Sequence, residues 1–230
     1  VTGGAALALV DGVEVPGAAV RDLFGASWPT VSAYAHLLGS HGVERGLIGP
    51  REVARLWSRH LLNSAALAGF LPDEGTVVDV GSGAGLPGVV LAAMRPDLEV
   101  HLVEPMRRRV VWLTEVCGAL GLERVVVHAA RAEELHGRLV ADVVTARAVA
   151  PLERLGGWTL PLVRAGGRLA VLKGRRAAEE LRSAEAALRR RGATSMRVHE
   201  VDVLDLGEPT YVVEVVVGAR PPARQRAGRR

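Results

Sequence analysis

The sequence predicts an α/β protein: a doubly wound, Rossmann-like, mostly parallel seven-stranded sheet, closed by an antiparallel C-terminal strand and preceded by a helical extension. Three observations carry that prediction. Short apolar runs alternate with stretches of helical periodicity between residues 77 and 191, the pattern of a parallel sheet wound with helices. The first run stops at the glycine cluster Gly81, Gly83, Gly85 and Gly88, which reads as strand, tight loop and helix. The last two runs, 196–203 and 210–217, are six residues apart. That gap is too short for a crossover helix, so they pair antiparallel.

The elements before the sheet are helical. Residues 18–24 and 29–38 show helical spacing, with Pro29 acceptable at a helix start and Gly42 beyond the end. After a short connection over 44–48, Pro50 opens a longer helix through Val53, Leu56, Trp57, Leu61, Leu62 and Ala65 that ends near Gly69. The sheet then starts at 77–80, followed by helix 89–94, strand 100–103, amphipathic helix 107–120 and strand 125–128. A helical turn near Glu133, strand 141–145, helix 151–163, strand 168–172 and helix 177–191 lead into the terminal hairpin. The chain divides into a helical cap (1–70), one sheet domain (71–218) and a basic tail (219–230) expected to be disordered.

Composition excludes several classes. A length of 230 residues and a hydrophobic fraction of 49% allow a sizeable core without staples. The single cysteine, Cys117, forbids an internal disulfide and reads as helix core. No apolar run approaches a membrane span and no basic-then-apolar leader opens the chain, so the expectation is a soluble, cytoplasmic enzyme, by default a monomer. Of the net charge of +4, the five arginines of the tail account for all, which leaves the body close to neutral. All but one of the 29 basic residues are arginine; the exception, Lys173, ends an apolar strand. A compact ammonium on a flexible stem is expected to be needed there, where a planar guanidinium fails.

The glycine cluster decides the ligand class. Gly83, Gly85 and Gly88 satisfy G-x-G-x-x-G, and Glu104 follows about twenty residues on, so the dinucleotide fingerprint is formally met. Asp79 opposes it, because an acid two residues before the first glycine repels a pyrophosphate seated on the helix N-terminus. S-adenosylmethionine brings an ammonium and a sulfonium and no phosphate, and suits that acid. Asp79 has a second reading, in which it bonds backbone N–H groups of its own loop. In either ligand class Glu104 accepts hydrogen bonds from ribose hydroxyls.

The run VDVGSGAGLPG, then RPDLEVHLVEP, RRRVVWL, RAEE, ADVVTARAVAPL and GGRLAVLKG resembles the RsmG family, also called GidB, over roughly residues 43–174. Its members are bacterial enzymes that methylate N7 of a guanine in 16S ribosomal RNA. The resemblance implies the class I methyltransferase fold with its seventh strand, S-adenosylmethionine as cofactor, and 16S rRNA in the small ribosomal subunit or an assembly intermediate as partner. Ligands of such sheets lie beyond the carboxyl ends of the strands. The cofactor site is therefore expected at Asp79, at Gly81, Gly83 and Gly85 with their backbone against the methionine part, and at Leu86 packed on the ligand. Glu104 would take the ribose and Ala132 with Glu133 the adenine; Arg147 would lie nearest the methyl, with Lys173 as its catalytic companion. Guanine N7 carries a free lone pair, so transfer needs no base, and positioning alone can supply roughly 7 to 11 kcal/mol. Arg147 also suits guanine O6 or a phosphate.

On the cap, Arg59, His60 and Asn63 of RHLLNS match the family pattern, although many members carry Asp at the Asn63 position; Arg59 and Asn63 share a face if the segment is α-helical. These three, with Arg175 and Arg176, are the expected substrate contacts; for His60 the alternative is a structural histidine bonded to backbone. Arg107, Arg108 and Arg109 open a helix at its unfavourable end, which points to a phosphate or acidic partner, whereas Arg189 to Arg191 suit a helix C-terminus. The remaining histidines lack ligand spacing, so no metal is expected. Two other classes stay open: a nicotinamide oxidoreductase, resting on the glycine spacing alone, and a nucleotide-responsive RNA-binding module without turnover. A small-molecule methyltransferase is the alternative within the first class.

Overall fold

The computed structural model describes residues 10, 12–147, 149–204 and 209–218; the basic tail lies outside them. The apolar runs form β1 (Thr76–Val80), β2 (Glu99–Val103), β3 (Val125–His128), β4 (Ala141–Arg147), β5 (Val163–Lys173), β6 (Ala193–Val201) and β7 (Thr210–Val217). They make one seven-stranded sheet in the order β3-β2-β1-β4-β5-β7-β6. The first five strands pair parallel, and β7 pairs antiparallel with both β5 and β6. Strand order reverses between β1 and β4, which opens a crevice at their carboxyl ends. The crevice holds the site.

β5 starts at Val163, five residues earlier than the sequence predicts. Gly166 takes a φ of +79°, and a Cβ on Gly167 would lie 2.7 Å from the Asp142 carbonyl oxygen. Only glycines let the chain bulge there, so that Val163 pairs Ala141 and Arg168 then pairs Val143. The preceding helix is correspondingly shorter than 151–163.

In chain order the helices are α1 (Ala18–Phe24), α2 (Trp28–His41), α3 (Leu62–Ala65), α4 (Gly88–Met94), α5 (Arg107–Ala119), α6 (Leu152–Thr159) and α7 (Ala177–Arg190). Side chains alternate across a strand, so β1 sends Val77 to one face and Val78 and Val80 to the other. Val77, Val100 and Leu102 share a core with α4, α5 and the N-terminal helices. Val78, Val80 and Val144 pack with Leu155 and Leu188 of α6 and α7. Asp79 therefore falls on the face covered by α4 and the cap. The cap is continuous with the sheet domain: Phe24, Tyr34, Leu38, Leu56 and Trp57 join Val89 and Leu102 in one cluster, and Trp57 stacks on Trp28 at 5.1 Å.

The expected single helix from Pro50 to Gly69 is broken. Pro50–Arg55 is a 3₁₀ turn, Leu56–Leu61 a π-turn, Leu62–Ala65 the short α3, and Ala68–Phe70 a second 3₁₀ turn. The π-turn turns Leu56, Trp57, His60 and Leu61 toward the core, and Leu56 and Leu61 are fully buried.

Among the described residues no helix is long and apolar enough to cross a membrane. Cys117 is buried, and burial pushes its thiol up to about 12.

Candidate active site

The glycine loop leaves β1 with Gly81, Gly83 and Gly85 at φ values of +73°, +57° and +106°, a backbone path that side chains disfavour. Gly88 opens α4 so close to the strand that a Cβ would strike Leu102 and lie 2.7 Å from Asp79 Oδ2. Contact between strand acid and helix start follows. The Gly88 N–H donates to Asp79 Oδ2 at 3.0 Å, while Asp79 Oδ1 is buried with no partner. Burial pushes the Asp79 carboxyl up to about 7, against the lowering effects of the Gly88 N–H, the Ser82 hydroxyl and the Arg147 charge. Of the two sequence readings of Asp79, the bond to its own loop is made by Oδ2.

Two donors that sequence reasoning missed hold the tip of the loop. The Ala84 carbonyl accepts from Tyr34 Oη at 2.9 Å and from Trp112 Nε1 at 2.7 Å, so α2 of the cap and α5 grip the same peptide. Tyr34 had a signal, a hydroxyl on a helix face otherwise formed by Val31, Ala35 and Leu38, all buried. Leu86 is buried and precedes Pro87 through a cis peptide.

Glu104, only 2% exposed, braces the other side of the loop. Oε2 accepts from the Gly83 N–H at 3.0 Å and Oε1 from the Met106 N–H at 2.8 Å. A carboxylate offers about four lone-pair sites, so acceptor capacity remains. Arg109 Nη1 stands 3.7 Å from Oε2, so for Arg109 the nearest acid is this chain's own Glu104. Beyond β3, Ala132 is buried and Glu133 exposed in the 3₁₀ turn Ala132–Leu135.

Arg147 ends β4. Its Nη1 lies 3.0 Å from His60 Nδ1, and His60 Nε2 lies 2.9 Å from Glu52 Oε2, which also pairs with Arg59 Nε at 3.1 Å. Burial, then the Arg147 charge, lowers His60 to about 4, against the Glu52 carboxylate. Burial also lowers the Arg147 pKa, while Tyr34 and Asp79 oppose that. Asn63 Nδ2 donates to Thr210 Oγ1 at 3.0 Å. Arg59 and Asn63, expected on one face, are thus turned to different partners because the π-turn changes the phase between them. Glu52 was not anticipated: eight residues from His60 on a regular helix is two turns away, and only the broken helix brings them together. Arg175 and Arg176 are exposed, and Arg176 pairs with Glu179 at 2.9 Å.

Lys173, expected at the chemistry, has partners within the chain. Its Nζ donates to the Ala150 carbonyl and to Glu180 Oε1, both at 2.8 Å, and Glu180 Oε1 also accepts the Leu152 N–H. This knot ties the segment that follows Arg147 to α7. Within that segment Val149 rests on the loop: a Cβ on Gly81 would come within 2.8 Å of Val149 Cγ2. Among the described residues no group of three or more His, Cys, Asp or Glu is arranged to hold a metal ion.

The strand order, the antiparallel β7 and the glycine loop between two acids at neighbouring strand ends define the class I S-adenosylmethionine-dependent methyltransferase fold. Solved structures agree on the fold: precorrin-6y C5,15-methyltransferase from Geobacter metallireducens (TM-score 0.51, 15% identity, 74% of this chain and 90% of that one) and an S-adenosylmethionine-dependent O-methyltransferase from Thermotoga maritima (TM-score 0.50, 18% identity, 69% and 66%). The chain belongs to the GidB family, rRNA small subunit methyltransferase G, which matches residues 28–205. It is 56% identical over 197 residues to the ribosomal RNA small subunit methyltransferase G of Beutenbergia cavernae, covering 86% of this chain and 93% of the relative. The protein of that name from Thermobifida fusca is 53% identical over 203 residues, covering 88% and 86%.

Proposed function

We propose that this protein transfers the methyl group of S-adenosylmethionine to N7 of a guanine in the RNA of the small ribosomal subunit. The observation that carries the cofactor reading is the buried, unpartnered Oδ1 of Asp79 under the glycine loop. An ammonium satisfies it, whereas a pyrophosphate at the same place would meet a second negative charge. That argument disfavours the nicotinamide alternative. Family membership supports the RNA substrate, since the relatives are named for it.

In this reading Asp79 and the peptides of Gly81, Gly83 and Gly85 hold the amino-acid part of the cofactor, with Leu86 against it. Glu104 uses its remaining lone pairs on the ribose, and Ala132 and Glu133 border the adenine. When bound, the cofactor supplies an electrophilic methyl on sulfur, which guanine N7 takes with its own lone pair, so no proton has to be removed. Arg147 contributes donors beside the methyl, directed to guanine O6 or a phosphate. Arg59, Asn63, Arg175 and Arg176 border the crevice from the cap and from the end of β5, where RNA would enter. The protein acts as a monomer on the subunit or its assembly intermediate.

Lys173 acts by position rather than by contact with the reacting atoms. Lys173→Ala is expected to lower transfer about tenfold through displacement of the segment after Arg147, and Lys173→Arg not to restore it, because a planar fork does not reproduce a compact ammonium between two acceptors. Rates equal to wild type in both variants would remove Lys173 from the account.

The decisive experiment supplies labelled S-adenosylmethionine and small ribosomal subunits from cells that lack this modification. Label on a base that behaves as 7-methylguanine is the expected result. Label on another base or on a small molecule instead, by a protein that binds the cofactor, would replace the substrate assignment.

A further inference from the structure

We propose that Glu52 and His60 form a relay that orients Arg147, with His60 as a positioning residue held in its neutral Nε2–H tautomer. The inference deepens the reading above and rests on it, in that it takes Arg147 to be the arginine at the methyl-transfer site.

The hydrogen-bond inventory dictates the tautomer. A guanidinium carries donors only, so the His60 Nδ1 that lies 3.0 Å from Arg147 Nη1 presents its lone pair. The ring proton is then on Nε2, 2.9 Å from Glu52 Oε2, which accepts it. A proton added at Nδ1 would set two donors against each other. The charged groups facing the ring are Glu52, Arg59 and Arg147; burial and the two arginines keep it uncharged down to about pH 4, against the Glu52 carboxylate. Beside this ring a carboxylate does not create an imidazolium. It selects which nitrogen carries the proton, as partners of one ring nitrogen generally do for the other.

The three residues come from three different elements: Glu52 from the 3₁₀ turn Pro50–Arg55, His60 from the π-turn Leu56–Leu61, and Arg147 from the end of β4. The cap therefore reaches the end of β4 through the His60 ring. The His60 side chain is 11% exposed and both its ring nitrogens are engaged. That leaves neither for RNA and revises the expectation that His60 touches substrate. A guanidinium without the ring would keep its charge and lose its fixed direction, and in a reaction that depends on in-line positioning such a loss falls on the transfer step.

The test is a double-mutant cycle read by single-turnover methyl transfer to unmodified small subunits, together with ¹⁵N-resolved NMR of the His60 ring. Glu52 does not touch Arg147, and its substitution on a partly exposed turn leaves the fold intact. Glu52→Ala is expected to slow transfer about tenfold in the wild-type background and less than about twofold beside Arg147→Lys, because both changes act through one guanidinium. His60→Gln, whose carboxamide keeps an acceptor and a donor on one carbon, is expected to stay within about threefold of wild type. The wild-type ring should be a pure Nε2–H tautomer at about pH 6, and a mixture in Glu52→Ala. Equal losses in both backgrounds, no loss, or a wild-type proton on Nδ1 would overturn the relay. If wild-type protein transfers no methyl to the subunit, the substrate reading falls by itself, and the ring tautomer in the two proteins still decides the relay.

Discussion

Asp79→Asn should bind S-adenosylmethionine or its demethylated product about 10- to 100-fold more weakly than wild type, the worth of one buried charge-assisted hydrogen bond, and yet unfold at a higher temperature when ligand-free near pH 8. Both effects come from the same oxygen. Oδ1 is buried and unpartnered, so the ionised carboxyl is held in the empty protein at a cost that a cationic ligand removes. The folded pKa of about 7 lies above the ordinary 3.8, so the folded state holds the proton more tightly than the unfolded chain. The contribution of this group to stability is fully present below about pH 4 and is lost as pH rises through about 7. Near pH 8 the neutral amide is expected to be the more stable by on the order of 1 to 3 kcal/mol, and near pH 5 the difference should shrink. Binding follows the opposite direction. An ammonium favours the carboxylate, so wild-type affinity should fall by up to about tenfold per pH unit below about 7, with a proton released on binding. Calorimetry at two pH values measures both. A flat pH profile in wild type would separate Asp79 from the ligand.

Arg147→Ala is expected to reduce transfer by about 100- to 1,000-fold, in line with loss of a preorganised donor at a reacting centre. It should also move the pH profile of cofactor binding. The Arg147 charge is one of the influences that lower the Asp79 pKa, so its removal shifts the midpoint of binding upward. Arg147→Lys restores the charge but not the fork that meets His60 Nδ1. That variant should recover the wild-type binding midpoint and leave transfer slow. Transfer within about twofold of wild type in both variants would show that β4 ends on a structural arginine.

Much of this molecule is legible in local sequence, and the exceptions share a cause. The β1 loop, the acid after β2 and the terminal hairpin are set by spacing within a few residues: alternation of valines, a glycine cluster, a gap too short for a helix. The bulged start of β5 escaped because Gly166 and Gly167 read as a loop, and only pairing with β4 makes them strand. The segment from Pro50 to Gly69 escaped because its periodicity fits an α-helix until the core it packs against is known.

What the sequence by itself determined is the strand order's local ingredients, the glycine loop and the family, because a glycine loop after an acid is a backbone requirement written into consecutive residues. Tertiary structure alone decided who holds the two basic residues at the ends of β4 and β5. Arg147 meets a histidine 87 positions away and Lys173 a carbonyl 23 positions away. No residue pattern states such a distance; it is set by the strand order, which brings the carboxyl ends of β4 and β5 side by side next to the cap and α7.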